Sequence, residues 1–377
     1  MSSLQQVIKN SGYLNFADYL NLVLYHPQYG YYSAKNNPIG AQGDFFTSSS
    51  LGADFGELLG VQFEQMWQIL GCPHPFILLE MGAGTGDLAQ DLLNYVEREY
   101  PDFFSAIAYL IIEASPQLKA QQQKLLTDKL NKVNWIDWEQ IPDNSLIGCC
   151  FSNELVDAFP VHQVILQQGQ LREVYVTWQE NQLIEVYQEL SSLEIENYFK
   201  LCQVDFPSSI YPEGYRTEVN LQALHWLKTL ASKLQTGYIL TIDYGYDAQR
   251  YYHPQRAQGT LQCYYQHHRH NNPYLYLGEQ DITSQVNFTS LERQGELLGL
   301  DHLGFTKQGL FLMALGVGDR FQALHQSQAH LQEILQRRDA LHQLINPSGL
   351  GNFGVLLQAK GLTPPQKLQP IKGFTMG

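Results

Sequence analysis

Residues 78–88 read Leu78-Leu79-Glu80-Met81-Gly82-Ala83-Gly84-Thr85-Gly86-Asp87-Leu88, an apolar run broken by three glycines at alternate positions, with a carboxylate on either side. A short apolar run bounded by turn residues is consistent with a strand buried on both faces, and glycine permits the tight backbone that follows it. Residues 87–100 then carry a helical pattern. Next come a strand at 106–113, a helix at 115–132, a short strand, and a strand at 146–153; a fifth lies at 238–245. Strands alternating with helices predict a parallel α/β sheet, because parallel neighbours need a crossover long enough to hold a helix.

Helical patterns also cover 16–25 and 55–70, on either side of a Gly- and Asn-rich stretch. Residues 1–70 therefore read as an N-terminal helical lid with a loop, and 71–377 as the main domain. Two segments interrupt that domain. An insertion at about 161–237 holds a β-hairpin turning at Glu180-Asn181, followed by helical segments, and Arg216 and Glu218 within it are candidates for a buried ion pair. A long loop at about 246–287 is rich in Tyr, His and Asn, and loops of that length are usually functional or disordered. The tail gives a helix at 289–298, a short strand at 303–306, a helical stretch through His342 and a final strand at 353–360.

The balance of 44% hydrophobic to 16% charged residues is that of a folded globular chain. A formal charge of −14 argues against a general nucleic-acid binder, which needs clustered Lys and Arg to displace counterions. The five cysteines are scattered without CxxC spacing, which predicts neither a disulfide framework nor a zinc ribbon and fits a reducing compartment. With no leader pattern at the N-terminus and no eighteen apolar residues in succession, the expectation is a cytoplasmic protein without membrane insertion.

A dinucleotide-binding turn reads GxGxxG and seats a pyrophosphate at the helix N-terminus. Here the spacing is GxGxG, and Glu80 at the strand end is a poor neighbour for a phosphate. A cationic ligand is the better guest. S-adenosylmethionine has no phosphate, and its sulfonium and ammonium groups suit carboxylates and carbonyls. Gly82, Ala83, Gly84 and Gly86 let the backbone approach it closely. Glu113, at the end of the second strand, is placed to accept hydrogen bonds from both ribose hydroxyls. Asp137 and Trp138 offer an acid and an aromatic face for adenine, although Trp138 equally suits the core. The run His267-His268-Arg269-His270 lacks a carboxylate or cysteine at ligand spacing, so no metal site is expected.

The string Ser152-Asn-Glu-Leu-Val-Asp-Ala-Phe-Pro-Val-His-Gln-Val164, taken with residues 31–60 and 242–291, resembles the MidA family of methyltransferases, and the resemblance runs over nearly the whole chain. The matching positions are Gly43, Asp44, Phe45, Thr47 and Ser48; the Gly82 turn; Asn153, Glu154, Asp157, Ala158 and Pro160; Asp243, Tyr244 and Gly245; and Asp281, Ile282, Thr283, Val286 and Phe288. The resemblance implies a Rossmann-like class I methyltransferase fold with a seven-stranded, mostly parallel sheet, and S-adenosyl-L-methionine as cofactor. Mitochondrial members are assembly factors of respiratory complex I, and that branch implies symmetric dimethylation of an arginine in the quinone-site core subunit. This chain departs from the family where prolines are frequent (Ser49, Ala83) and at Thr260-Leu-Gln-Cys263 and Asn272-Pro273-Tyr274.

Methyl transfer is an in-line displacement, so catalysis is mostly positioning with water excluded. A protonated guanidinium is a poor nucleophile until its charge is drawn to the other nitrogens and a proton leaves, and carboxylates meet both demands. Glu154 and Asp157 are the candidates, with Asn153 beside them counted among cofactor contacts; the alternative is that Asn153 and Glu154 only cap the next helix. Asp44, with Phe45 and Phe46, reads as a closure over the site or as a turn. His267 reads as a substrate contact or proton carrier. The expected partner is a protein substrate such as a core subunit of a respiratory-type NADH dehydrogenase. A non-catalytic assembly chaperone that binds the cofactor and a small-molecule methyltransferase remain open, while the glycine spacing counts against a nicotinamide dehydrogenase.

Overall fold

The apolar run at Phe76–Met81 is an interior strand (β1) of a sheet whose other strands are Ile107–Ile112 (β2), Val133–Trp135 (β3), Leu146–Asn153 (β4), Leu234–Asp243 (β5), Asp301–Lys307 (β6) and Gly354–Lys360 (β7). The computed structural model describes residues 3–33, 47–326 and 330–375. Among the described residues these seven strands run in the order β6-β7-β5-β4-β1-β2-β3. Strands β1 to β5 are mutually parallel, while β7 runs antiparallel to β5 and β6. The α/β, Rossmann-like architecture expected from the sequence is present. Chain order reverses between β1 and β4, and the crevice outside the carboxyl ends of strands at such a switch point is where open α/β sheets bind ligands.

Burial explains why β1 reads as an apolar run up to Glu80. Phe76, Leu78, Leu79 and Met81 are all buried, as are Tyr109 and Ile111 of β2 and Phe151 of β4. The helix Asp54–Ile69 packs on this sheet through Phe55, Leu58, Leu59, Phe63 and Met66, a stripe at helical spacing, with the Phe63 ring 4.9 Å from that of Phe151. Burying each such side chain is worth about 1.5–3 kcal/mol, so the position of this helix and of the turn preceding it is well fixed. The helix expected at 115–132 is shorter, Pro116–Leu125. Thr127 Oγ1 donates to the carbonyls of Gln123 and Lys124, taking acceptors that a longer helix would use.

The described chain divides into two compact units: Met1–Phe45, Val156–Lys228 and Gly245–Gln294 form one, and Phe46–Leu155, Thr229–Tyr244 and Gly295–Gly377 form the other, which carries the sheet just described. The first unit has its own antiparallel sheet, built from Leu14–Asn15, His162–Gln167, Gln170–Gln179, Gln182–Gln188 and Arg216–Val219. The hairpin at Glu180-Asn181 is present, and both turn residues have positive φ (50° and 63°), as a two-residue type I′ turn requires.

The ion pair expected between Arg216 and Glu218 does not form. Both point to one face of their strand, and Gln163 lies between them, accepting from Arg216 at 3.1 Å and donating to Glu218 at 3.3 Å. Arg216 instead grips Glu185 with two hydrogen bonds of 2.7 and 2.5 Å, and Glu218 accepts from the Thr260 backbone at 2.7 Å. The segment read as one long loop at 246–287 also contains regular structure: Gln262–Tyr265, His268–His270 and Asp281–Thr283 form a three-stranded antiparallel sheet. Its strands are too short and too polar to have shown a period. No helix among the described residues is long and apolar enough to cross a membrane.

Candidate functional site

The glycine turn follows β1 at the carboxyl edge of the large sheet. Gly82 and Gly84 have φ of 71° and 55°, backbone that L side chains rarely adopt. A Cβ on Gly82 would stand 2.8 Å from Leu155, whereas one on Gly84 would meet no atom within 4 Å, so the backbone there faces open space. Ala83 between them is buried. Gly86 (φ 95°) is the N-cap of the helix Asp87–Glu99, and Thr85 donates its hydroxyl to Asp87. Glu80, one residue before the end of β1, is 2% exposed and accepts from the Tyr109 hydroxyl at 2.7 Å. Burial pushes its carboxyl up to about 7, opposed by the Tyr109 bond and reinforced by the charge of Glu113.

Glu113 follows β2. Its Oε1 accepts from the Ser115 backbone at 2.9 Å, and its Oε2 from Gln122 Nε2 at 2.9 Å. Burial raises its pKa, and these hydrogen bonds oppose the rise. Gln122, fully buried, also donates to the Gly84 carbonyl at 2.8 Å and accepts from Trp135 Nε1 at 2.8 Å. After β3, Asp137 is exposed and begins a single turn, its backbone N–H donating to Gln140 Oε1 at 2.8 Å, while Trp138 is half-buried.

At the end of β4, Asn153 donates from Nδ2 to Glu154 Oε1 at 3.1 Å. Glu154 has a φ of 52°, a left-handed backbone that costs a non-glycine residue on the order of 1 kcal/mol. No α-helix starts there, as the chain enters only a short turn at Val156–Ala158. The Glu154 backbone N–H donates to Ile242 of β5 at 2.9 Å. Its Oε1 also accepts from the Ser48 backbone at 2.8 Å, while burial lifts the carboxyl to about 7 against these bonds. Ser48 is in turn fixed by its hydroxyl bond to Gln308 Oε1 at 3.3 Å, and Gln308 Nε2 donates to the Leu344 carbonyl at 3.2 Å. No donor to Glu154 Oε2 lies among the described residues.

In the other unit, Asp157 is buried in the turn Val156–Ala158, whose three carbonyls accept from Asn220, Ser284 and Tyr25 at 3.2, 2.9 and 2.8 Å. His267 is exposed at the tip of the hairpin between Gln262–Tyr265 and His268–His270, with positive φ like its neighbour Gln266. Asp44 lies outside the described residues.

The fold thus gathers Glu80, the glycine turn, Glu113, Asp137, Trp138, Asn153 and Glu154 at the carboxyl ends of four adjacent parallel strands. Sequence reasoning assigned no role to Gln122, Tyr109, Gln308 or Ser48. The one readable signal was that Gln122 falls four residues after Leu118 and four before Leu126, on the buried side of its helix.

Comparisons with known proteins agree with this geometry. The sequence pattern of a family of S-adenosyl-L-methionine-dependent methyltransferases matches residues 58–306. "Protein arginine methyltransferase NDUFAF7 homolog, mitochondrial" of Drosophila melanogaster is 29% identical over 99% of this chain and 87% of its own length. The human "Protein arginine methyltransferase NDUFAF7, mitochondrial" is 28% identical over 96% of this chain and 82% of its own. A crystal structure of a COG1565 superfamily member from Burkholderia thailandensis, bound to S-adenosyl-homocysteine, superposes with a TM-score of 0.84 at 30% identity, covering 99% of this chain and 93% of that one. The open turn at Gly84 and the Glu113 carboxylate fit S-adenosylmethionine as cofactor. The chain belongs to the MidA family of S-adenosyl-L-methionine-dependent methyltransferases.

Proposed function

We propose that this methyltransferase acts on the guanidinium of an arginine in a protein, with a core subunit of a respiratory-type NADH dehydrogenase as the first substrate to test. The relatives named as protein arginine methyltransferases support the residue type. The observation that carries the reading is Glu154, whose Oε1 is held by Ser48 and Asn153 while Oε2 has no donor among the described residues.

When bound, S-adenosylmethionine supplies an electrophilic methyl group on sulfur. Gly82, Gly84 and Gly86 would give it backbone room, Glu113 would accept from its ribose, and Asp137 and Trp138 would hold the adenine. Glu154 Oε2 accepts a guanidinium N–H, drawing positive charge toward that side of the planar fork. The methylated guanidinium keeps one positive charge, so one proton must leave. A carboxyl lifted to about 7 is suited to take it near neutral pH. Asp157 is proposed as a second carboxylate for the acceptor, Asp44 as part of a closing loop, and His267 as a substrate contact.

The test is to incubate the purified protein with methyl-labelled cofactor and a lysate of cells lacking it, then hydrolyse the labelled proteins. Label in methylarginine supports the reading. Label only in small molecules, or tight cofactor binding with no labelled product, contradicts it.

A further inference from the structure

Gln122 has no chemistry of its own to contribute, yet its amide is among the most constrained polar groups of the sheet unit. It is fully buried and makes three hydrogen bonds of 2.8–2.9 Å. Their chemistry fixes its orientation. The Trp135 indole can only donate, so it must meet Oε1; the Gly84 carbonyl and the Glu113 carboxylate can only accept, so they share the NH2 group. One amide therefore ties together the glycine turn, the carboxylate after β2 and the end of β3.

We propose that Gln122 is a positioning residue for the cofactor: it holds Glu113 Oε2 at a fixed angle toward the ribose hydroxyls and locks Gly84 to that carboxylate. This rests on the reading of Glu113 as the ribose acceptor. A carboxylate oxygen takes two donors, so Oε2 keeps an acceptor site after Gln122 has used one. Without the amide, Glu113 Oε1 keeps its Ser115 backbone donor but Oε2 loses the Gln122 bond that sets its direction, and the Gly84 carbonyl is left without that partner. Preorganisation of this kind is worth most for a group that must meet two hydroxyls at once.

The test is a cycle of two ligands and two side chains, measured by calorimetry with S-adenosylhomocysteine and its 2′-deoxy analogue. The parent protein is expected to bind the deoxy analogue about tenfold more weakly, the scale of one hydrogen bond to a charged group. Gln122→Met keeps the length of the side chain but no donor. It is expected to bind S-adenosylhomocysteine about tenfold more weakly and to lose most of the deoxy penalty, with turnover at saturating cofactor within about threefold of the parent. Gln122→Glu provides a second route if the methionine variant folds poorly. A carboxyl carries at most one proton, so it can donate to the Gly84 carbonyl or to Glu113 but not to both, and Gln122→Glu should likewise lose most of the deoxy penalty.

A Gln122→Met protein that keeps the full deoxy penalty overturns the proposal, whatever its melting temperature. If Glu113→Ala also keeps the penalty, the ribose reading itself fails. If Glu113→Ala loses it and Gln122→Met keeps it, only the role of Gln122 is lost.

Discussion

The backbone N–H of Ser48 donates to Oε1 of Glu154 at 2.8 Å, joining residues 106 positions apart. A side-chain substitution at Ser48 leaves that bond in place, but proline removes it. Ser48 opens a short helical turn after an extended Thr47, a position where proline's fixed φ is tolerated. Ser48→Ala deletes only the hydroxyl bond to Gln308, so the pair of variants separates the two contacts. Loss of a backbone donor removes a force that lowers the Glu154 pKa. Ser48→Pro should therefore move the midpoint of the pH–rate profile upward by about one unit, while Ser48→Ala leaves it in place. Identical midpoints in all three proteins would contradict this account of Glu154.

Glu80 makes a separate prediction about stability. Its folded-state carboxyl is raised to about 7 from an ordinary value near 4.5, so between those pH values the folded protein holds a proton that the unfolded chain has lost. The contribution is fully present below about pH 4.5 and is lost as pH rises through about 7, on the order of 3 kcal/mol. Glu80→Gln cannot ionise. Denaturant unfolding of the cofactor-free protein at pH 5 and pH 8 should show a smaller fall in stability for Glu80→Gln than for the parent; equal falls would show that Glu80 ionises normally.

The large sheet was legible because β1, β4 and β5 are buried on both faces and must read as apolar runs, and because glycines with positive φ leave few alternatives in the turn. Glu80, Glu113 and Glu154 stood out as carboxylates where apolar strands end. Their partners did not. Gln122 and Gln308 are ordinary polar residues whose roles come from tertiary position, Ser48 showed only as a position of the family pattern with no role attached, and nothing local marks Gln122 apart from Gln121 and Gln123 except its helical phase. The antiparallel sheet of the other unit was only half visible, since its hairpin announces itself through Glu180-Asn181 but Gln262–Tyr265 and His268–His270 are too short and polar to show a period.

Arg337 grips Asp54 with two hydrogen bonds of 2.7 and 2.6 Å, and Asp54 is 5% exposed at the start of the helix that carries Phe55 and Phe63. Arg337→Met leaves that carboxylate buried without its partner, and should cost about 1–3 kcal/mol in chemical denaturation, at the lower end for a pair of this kind because Arg337 is half-exposed. Adding Asp54→Asn should recover part of the loss. A double variant no more stable than the single one would place the effect elsewhere.

Glu113→Ala should weaken S-adenosylmethionine binding by about 1.5–3 kcal/mol, the range for hydrogen bonds to a charged group. Calorimetry on the folded variant checks it, and unchanged affinity would remove Glu113 from the cofactor site.

The central claim is that Glu154 draws charge from the acceptor and takes its proton. Glu154→Gln keeps the shape and an acceptor but loses the charge. The decisive measurement is single-turnover methyl transfer at saturating cofactor, made alongside thermal unfolding and cofactor titration. The account predicts transfer slowed by a factor on the order of a hundred or more, with melting temperature and cofactor affinity close to the parent's. A Glu154→Gln protein that melts earlier yet transfers methyl at the parent rate would contradict it.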